Sequence, residues 1–282
     1  MKILITGAGG QLGRELVRAL APEHQLIVKT RAELDVVDEE EVMRAVRESS
    51  PDVIVHAAAF TQVDLAEQHI EQAFAVNAFG TRNVALAAKN ARALMVYVST
   101  DYVFDGTKGC AYVERDRTNP VNIYGQSKLL GEKFVQMICE RFYIARTSWL
   151  YGASGSNFVT KVLALAKQRS ELQMVNDQFG SPTYASELAG FIREALGRNQ
   201  YGVFHVSNRG CCSRYEFAQE ILNIAGLNTV KLVPVGADGF PLPAVRPVRS
   251  DLDDEAIRNN GFTRLNTWQE SLRSFLLEDL RY

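Results

Sequence analysis

Cysteine and histidine are scarce in this 282-residue chain, four of each, and neither set is spaced to hold a metal. Cys110, Cys139, Cys211 and Cys212 contain no Cys-x-x-Cys pair, and His24, His56, His69 and His205 are scattered, which argues against zinc and against a dithiol redox centre. The thiols are expected to be reduced packing residues, and no metal is expected. An excess of one charge is also missing. Thirty-one basic against 33 acidic residues leave a net charge of −2, so there is no electrostatic case for nucleic acid or an anionic membrane as partner. No long hydrophobic run occurs: the apolar stretch at the N-terminus, Ile3 to Ile5, is too short for a signal peptide, and nothing approaches the roughly 20 residues of a membrane span. A soluble, cytoplasmic protein is expected. Internal repeats, low-complexity tracts and coiled-coil heptads are absent as well.

Apolar material is plentiful at 46%, enough to build the core of one large or about two modest domains. The chain opens with Lys2-Ile3-Leu4-Ile5-Thr6, a short β-branched run, then Gly7-Ala8-Gly9-Gly10-Gln11-Leu12-Gly13, then apolar residues at helical spacing (Leu12, Leu16, Val17, Leu20). That order reads as strand, glycine turn and helix. Such a junction offers unpaired backbone N–H groups at the positive end of a helix dipole, where a pyrophosphate can supply the acceptors. The spacing Gly7-x-x-Gly10-x-x-Gly13 departs from the Gly-x-Gly-x-x-Gly dinucleotide fingerprint, and an ordinary strand-to-helix turn is the alternative.

Strand-like and helical runs then alternate: Gln25 to Val28, a charged helix around 38–47, Asp52 to Val55, a helix over about 71–91, and Leu94 to Val98. Repeated β-α units predict an α/β fold, a doubly wound parallel sheet of Rossmann type with helices on both faces and ligands at the C-terminal strand ends. Small and polar residues cluster at those ends, Ala57 to Thr61 after the third strand and Ser99-Thr100-Asp101 after the fourth. The glycine- and serine-rich stretch 149–156 marks the passage out of this domain. Residues 1–150 are therefore assigned to dinucleotide binding and 151–282 mainly to a smaller mixed α/β substrate lobe, with about 183–200 packing back on the first domain. In the second half, helices are predicted near 158–168, 184–196 and 214–225, strands at 172–175 and 203–206, and a loop at the proline-rich 240–247.

Chemistry enters at Tyr124-Gly125-Gln126-Ser127-Lys128. Pro120 and Asn122 sit where a helix can begin, and Leu129, Leu130, Phe134, Val135 and Ile138 carry it to about Glu140. Tyr124 and Lys128 then share one face at i and i+4. A fixed ammonium beside a phenol stabilises the phenolate, so the pair is expected to act as an acid with a lowered pKa; a surface pair on an amphipathic helix is the alternative.

The glycine turn, the hydroxyl of Thr100 and this helix, in that order, resemble the extended, nucleotide-sugar-modifying branch of the short-chain dehydrogenase/reductase superfamily, over essentially the whole chain. Gly10 to Gly13, Ser99 to Gly106, Arg146 to Gly152 and Asp177 to Thr183 resemble more narrowly the dTDP-4-dehydrorhamnose reductase family. The resemblance implies 4-keto reduction of a dTDP-sugar, the last step of dTDP-rhamnose synthesis, by a monomer or homodimer. It implies Tyr124 as proton donor, Lys128 on the nicotinamide ribose, and Thr100 on the substrate oxygen. Cofactor contacts would fall on Gly7, Gly10, Gln11, Leu12, Gly13, Asp35, Val36, Ala59, Phe60 and Thr61, with Asp35 and Val36 alternatively loop and packing residues. Substrate contacts would fall on Thr100, Asp101, Trp149, Asn157 and Arg246. Trp149 could equally be a core aromatic and Arg246 an exposed loop arginine. Lys29-Thr30-Arg31 after the second strand carries cations where an acid would repel a 2′-phosphate, so the expected cofactor is NADPH, with NADH as the alternative. Sugar dehydratases of this branch follow their threonine with Asp-Glu; here Asp101 precedes Tyr102, which favours reduction over elimination. A same-fold epimerase and a non-catalytic NADP-binding regulatory subunit are the rival readings.

Overall fold

A computed structural model describes residues 1–281. The first half runs β1 (Lys2–Thr6), α1 (Gln11–Leu20), β2 (Gln25–Lys29), α2 (Glu39–Ser49), β3 (Val53–His56), α3 (Val63–Gln68), α4 (Ile70–Phe74), α5 (Thr81–Ala91), β4 (Leu94–Thr100), α6 (Ile123–Ile138) and β5 (Phe142–Thr147). The second half runs β6 (Leu150–Tyr151), α7 (Phe158–Ala166), β7 (Glu171–Val175), β8 (Phe179–Gly180), β9 (Thr183–Tyr184), α8 (Ala185–Leu196), β10 (Gly202–His205), β11 (Cys212–Ser213), α9 (Arg214–Ile224), β12 (Lys231–Val235), α10 (Glu255–Asn259) and α11 (Trp268–Ser274).

Six strands form one parallel sheet in the order β10-β5-β4-β3-β1-β2. The strands read as near-continuous apolar runs because both faces are covered, and successive residues go to opposite cores. Ile3, Ile5, Val53, Val55 and Val96 meet α1, α8 and α10 on one side. Leu4, Ile54, Met95, Tyr97 and Ile144 meet α2, α5 and α6 on the other. A separate core built on Tyr151, Leu163, Phe217, Trp268 and Phe275 holds the second lobe, with three two-stranded sheets around it.

Three features depart from the sequence reading. The helix expected over 71–91 is broken into α4, a π-helical turn at Ala75–Gly80 and α5, preceded by the separate helix α3. The π-turn projects Asn77 inward, where it is fully buried. Strand β10 belongs to the main sheet, in register with β5 from Gly202 opposite Tyr143 to His205 opposite Arg146, so the chain returns to the first layer through α8 and β10 together. Finally, Cys110 is exposed and is not a packing residue, whereas Cys139 and Cys212 are buried; all four thiols are free.

Two imidazoles lie inside these cores. His56 meets Thr6 Oγ1 at 2.6 Å and Thr81 Oγ1 at 3.1 Å, and His205 Nδ1 faces the carbonyls of Tyr112 and Asp253 at 3.0 and 3.1 Å. Burial holds both neutral, with pKa values lowered from 6.5 to about 3. Below pH 6.5 the unfolded chain takes up protons that the folded one refuses, so stability falls as the pH drops from about 6.5 toward 3. Urea melts should lose stability on acidification through that window, approaching about 1.4 kcal/mol per pH unit for each imidazole. His56→Gln should remove one share of the slope; a slope identical in variant and parent would refute the assignment.

Candidate active site and cofactor cavity

A cavity of about 890 Å³ runs across the C-terminal ends of β1, β3, β4 and β5. The sheet order reverses between β1 and β3, and an open parallel sheet leaves its ligand crevice at such a point. Gly7, Gly10, Gln11, Leu12, Gly13, Arg31, Asp35, Val36, Ala59, Phe60 and Thr61 line one part of it. Thr100, Asp101, Tyr124, Lys128, Trp149 and Asn157 line the other.

The glycine turn has the shape of a cradle. Gly10 caps α1 without a side-chain bond to the first-turn N–H groups. A Cβ on Gly13 would stand 2.3 Å from the carbonyl oxygen of Gly7, so no other residue lets α1 start this close to the end of β1. Those N–H groups and the helix dipole suit a pyrophosphate. Loop 57–61 is held on the opposite wall by Asn77, whose Oδ1 accepts from Phe60 N at 2.8 Å and whose Nδ2 donates to Phe60 O and Ser127 Oγ, both at 3.0 Å. Asn77 thus ties the cofactor wall to α6. Sequence reading missed it because a lone asparagine in a helical stretch carries no pattern.

Helix α6 starts where expected. Asn122 caps it by accepting from Gly125 N at 2.8 Å. A Cβ on Gly125 would stand 2.1 Å from Tyr102 O, so the glycine after Tyr124 is what brings the helix against the exit of β4. Tyr124 then meets Thr100, whose hydroxyl interacts with the phenol, and packs its ring on the edge of Tyr102 at 5.9 Å.

The electrostatics differ from the expectation of a lowered phenol pKa. Burial pushes the Tyr124 phenol up, and the Thr100 hydroxyl only partly opposes it. Lys128 is turned to other partners: Nζ donates to Val98 O at 2.6 Å and lies 4.1 Å from the centroid of the Tyr97 ring. Burial lowers its pKa from 10.5 to about 7, with Glu132 pulling the other way. In this environment desolvation outweighs the coupling that the i, i+4 spacing suggested.

Asp101 is buried, and its carboxylate accepts from Ser250 Oγ at 2.6 Å, Thr100 Oγ1 at 3.0 Å and Ser148 Oγ at 3.1 Å. It is a clasp between the strand ends and the loop at 250, and it also lines the cavity. Asn157 caps α7 and donates to Gln11 Oε1 at 3.0 Å, joining the second lobe to the glycine turn. Arg246 lies outside the cavity wall, in a bidentate pair with Asp64 at 2.5 and 2.6 Å. Tyr102 and Arg214, which the sequence reading did not single out, are part of the wall. Among the described residues no three His, Cys, Asp or Glu side chains converge to hold a metal, and no helix is long and apolar enough to cross a membrane.

Residues 1–281 match the model of the RmlD substrate binding domain. The chain belongs to this family. It is 41% identical to the spore coat polysaccharide biosynthesis protein SpsK of Bacillus subtilis, over 98% of this chain and 97% of that one. It is 40% identical to the dTDP-4-dehydrorhamnose reductase of Escherichia coli, over 99% and 98%. Among solved structures, the dTDP-4-dehydrorhamnose reductase of Bacillus anthracis in complex with NADP superposes with a TM-score of 0.96 at 41% identity, covering 98% and 99% of the two chains. A Thermus thermophilus UDP-glucose 4-epimerase, at 21% identity and a TM-score of 0.83, shares the fold.

The lowered pKa of Lys128 has a measurable sign. Between pH 7 and about 10.5 the unfolded chain holds a proton on this amine that the folded chain has lost, so stability should rise with pH across that interval. Lys128→Met should flatten the rise in the cofactor-free protein, as measured by denaturant melts at pH 7, 8 and 9. An unchanged slope would show that Lys128 keeps an ordinary pKa.

Proposed function

We propose that the protein reduces the 4-keto group of dTDP-4-dehydro-L-rhamnose to dTDP-L-rhamnose with NADPH as the hydride donor. The observation that carries this reading is the meeting of Thr100, Tyr124 and Lys128 at one end of a cavity whose other end is a glycine cradle, in a chain about 40% identical to dTDP-4-dehydrorhamnose reductases over nearly its full length. The cradle suits a dinucleotide, since Gly13 lets α1 start against the backbone of Gly7 and Ala8 and so turns its first N–H groups toward the cavity that Gly7, Gly10 and Gly13 line. The first 150 residues hold the cofactor and the second lobe the sugar nucleotide, with α8 and β10 returning to the sheet. A nucleotide-sugar substrate supports a cytoplasmic location for the enzyme.

When bound along the glycine turn, NADPH would supply the hydride that the carbonyl carbon needs, being oxidised to NADP⁺. Tyr124 supplies the proton that the new alkoxide oxygen needs, completing the conversion of C=O to CH–OH, and regains it from solvent. Its raised pKa keeps the phenol protonated at neutral pH, the state a general acid must start from. With substrate present, Thr100 would turn its one hydroxyl proton from Asp101 to the same oxygen, a hydrogen bond that matters most when that oxygen carries charge. Lys128 stands one helical turn away, within the wall, to hold the nicotinamide ribose. Asp101, fixed by three hydroxyls, keeps Thr100 in place.

Arg31 is exposed on the cavity rim, where a guanidinium can take a 2′-phosphate. The nearby acid, Glu33, is committed to Thr30, accepting from its N–H at 2.8 Å and its hydroxyl at 2.7 Å.

Two variants test this function. Tyr124→Phe should keep NADPH and sugar-nucleotide binding and lose at least about a hundredfold in kcat, the scale of a lost general acid; near-normal turnover removes Tyr124 from proton transfer. Arg31→Glu should lower NADPH efficiency far more than NADH efficiency in an assay with the keto sugar. Parallel losses with both cofactors would show that Arg31 does not read the phosphate. An epimerase would recycle its cofactor, and a regulatory subunit would not turn over at all, so net NADPH oxidation separates all three.

A further inference from the structure

Lys128 is buried, and among the described residues it takes part in no ion pair. Its amine donates to the Val98 carbonyl at 2.6 Å and lies over the Tyr97 ring. The titratable groups around it come from three elements. Tyr97 belongs to β4, His56 on β3 is stacked against Tyr97, and Tyr124 is one turn back on α6, with Asp101 at the exit of β4 beyond it. Burial holds the two phenols and the imidazole neutral and favours the protonated form of Asp101. Glu132, one turn onward on α6, is the acid that acts on the amine.

The Glu132 carboxylate is fully buried and is fixed from two strands. Arg146 on β5 donates Nε and Nη2 to its two oxygens at 2.9 and 2.8 Å, and Ser99 on β4 donates at 2.5 Å. The rest of the guanidinium is turned to the Glu114 carbonyl, the Phe104 ring and Nε2 of His205, an imidazole that burial keeps neutral. The Glu114 carboxyl is engaged by His205 N and Ala256 N. Replacing such an ion pair by apolar side chains of similar volume commonly leaves a fold as stable or more so, and stability by itself therefore does not call for it. What the pair supplies is a negative charge that cannot move, on the face of α6 that carries Tyr124 and Lys128. A carboxylate one helical turn from a desolvated amine favours the ammonium and so opposes desolvation.

We propose that Glu132, clamped by Arg146 and Ser99, is a positioning residue for the reduction: its fixed charge keeps Lys128 an ammonium pinned at the Val98 carbonyl, the form and the height from which it holds the nicotinamide ribose. This rests on the reading of Lys128 as a contact of the bound cofactor.

The test compares wild type, Glu132→Gln, Glu132→Asp and the double variant Glu132→Gln/Arg146→Met, which leaves neither buried charge without its partner. Calorimetric titration with NADP⁺ across the pH range in which the amine loses its proton should show affinity falling as the pH rises. The midpoint of that fall should lie at least about one pH unit lower in the Gln and double variants, a loss of about tenfold in proton affinity at Lys128. Glu132→Asp keeps the charge and should keep the wild-type midpoint, whatever its stability. In the cofactor-free protein, the rise of stability that begins near pH 7 should begin at a correspondingly lower pH in the double variant. A clamp with a structural role alone predicts NADP⁺ affinity lowered by the same factor at every pH, which overturns the proposal. So do a midpoint unmoved in the double variant, a wild-type affinity that does not fall with pH, and an Asp midpoint displaced as far as that of Gln. Displaced midpoints in a protein whose wild type oxidises no NADPH with dTDP-4-dehydro-L-rhamnose would overturn the reductase reading and leave Glu132 in its role, whereas normal wild-type turnover with unmoved midpoints overturns the role of Glu132 alone.

Discussion

The ion pair between Arg146 on β5 and Glu132 on α6 is buried from solvent on both sides, and the placement of the reacting groups depends on it. Nε and Nη2 of the guanidinium donate to the two carboxylate oxygens at 2.9 and 2.8 Å. The remaining hydrogen-bonding capacity is filled from other elements: Ser99 on β4 donates to Glu132 at 2.5 Å, Arg146 donates to the carbonyl of Glu114, and the guanidinium lies over the Phe104 ring. His205 on β10 stands against the same arginine. Burying two charges is repaid only when geometry and all the surrounding donors and acceptors cooperate, so this pair has one acceptable arrangement. Tyr124, Lys128 and Glu132 are spaced at i, i+4 and i+8 on α6. Fixing Glu132 to the end of the sheet therefore fixes the height of Lys128 and Tyr124 above Val98 and Thr100.

That rigidity explains the electrostatics of the site. Lys128 is held against the Val98 carbonyl and the face of Tyr97 rather than free to approach the phenol, and both ionisable groups are desolvated. Desolvation moves each toward its neutral form, the phenol upward and the amine downward. Burial thus favours the protonated phenol, at the cost of a buried amine that weakens the fold at neutral pH.

Three polar contacts tie the first half of the chain to the second. Asn157 reaches Gln11, Asp101 takes Ser250, and Asp64 takes Arg246. Each joins a segment that follows a strand or begins a helix of the first lobe to a loop or helix cap of the second. They add directional ties beside the cavity to an apolar interface in which α8 packs on α1 within one shared core.

Period and punctuation in the chain determined the parallel sheet, the glycine turn at 7–13, the capped helix from Asn122 and the Tyr124–Lys128 face, because each is a local pattern with a local cause. Family resemblance added Trp149, Asn157 and Arg246, and three-dimensional contacts then separated their environments: Trp149 and Asn157 line the cavity while Arg246 is engaged with Asp64. Only the tertiary structure decided the return of β10 to the sheet, since a four-residue strand does not name its neighbour. The break at Ala75–Gly80 was equally hidden, because the π-turn answers to packing around Val36 and Asn77 and leaves helical periodicity in the letters. The pKa directions depend on what surrounds a group rather than on its neighbours in the chain. Desolvation is a property of the packed volume, and no spacing along a sequence encodes it.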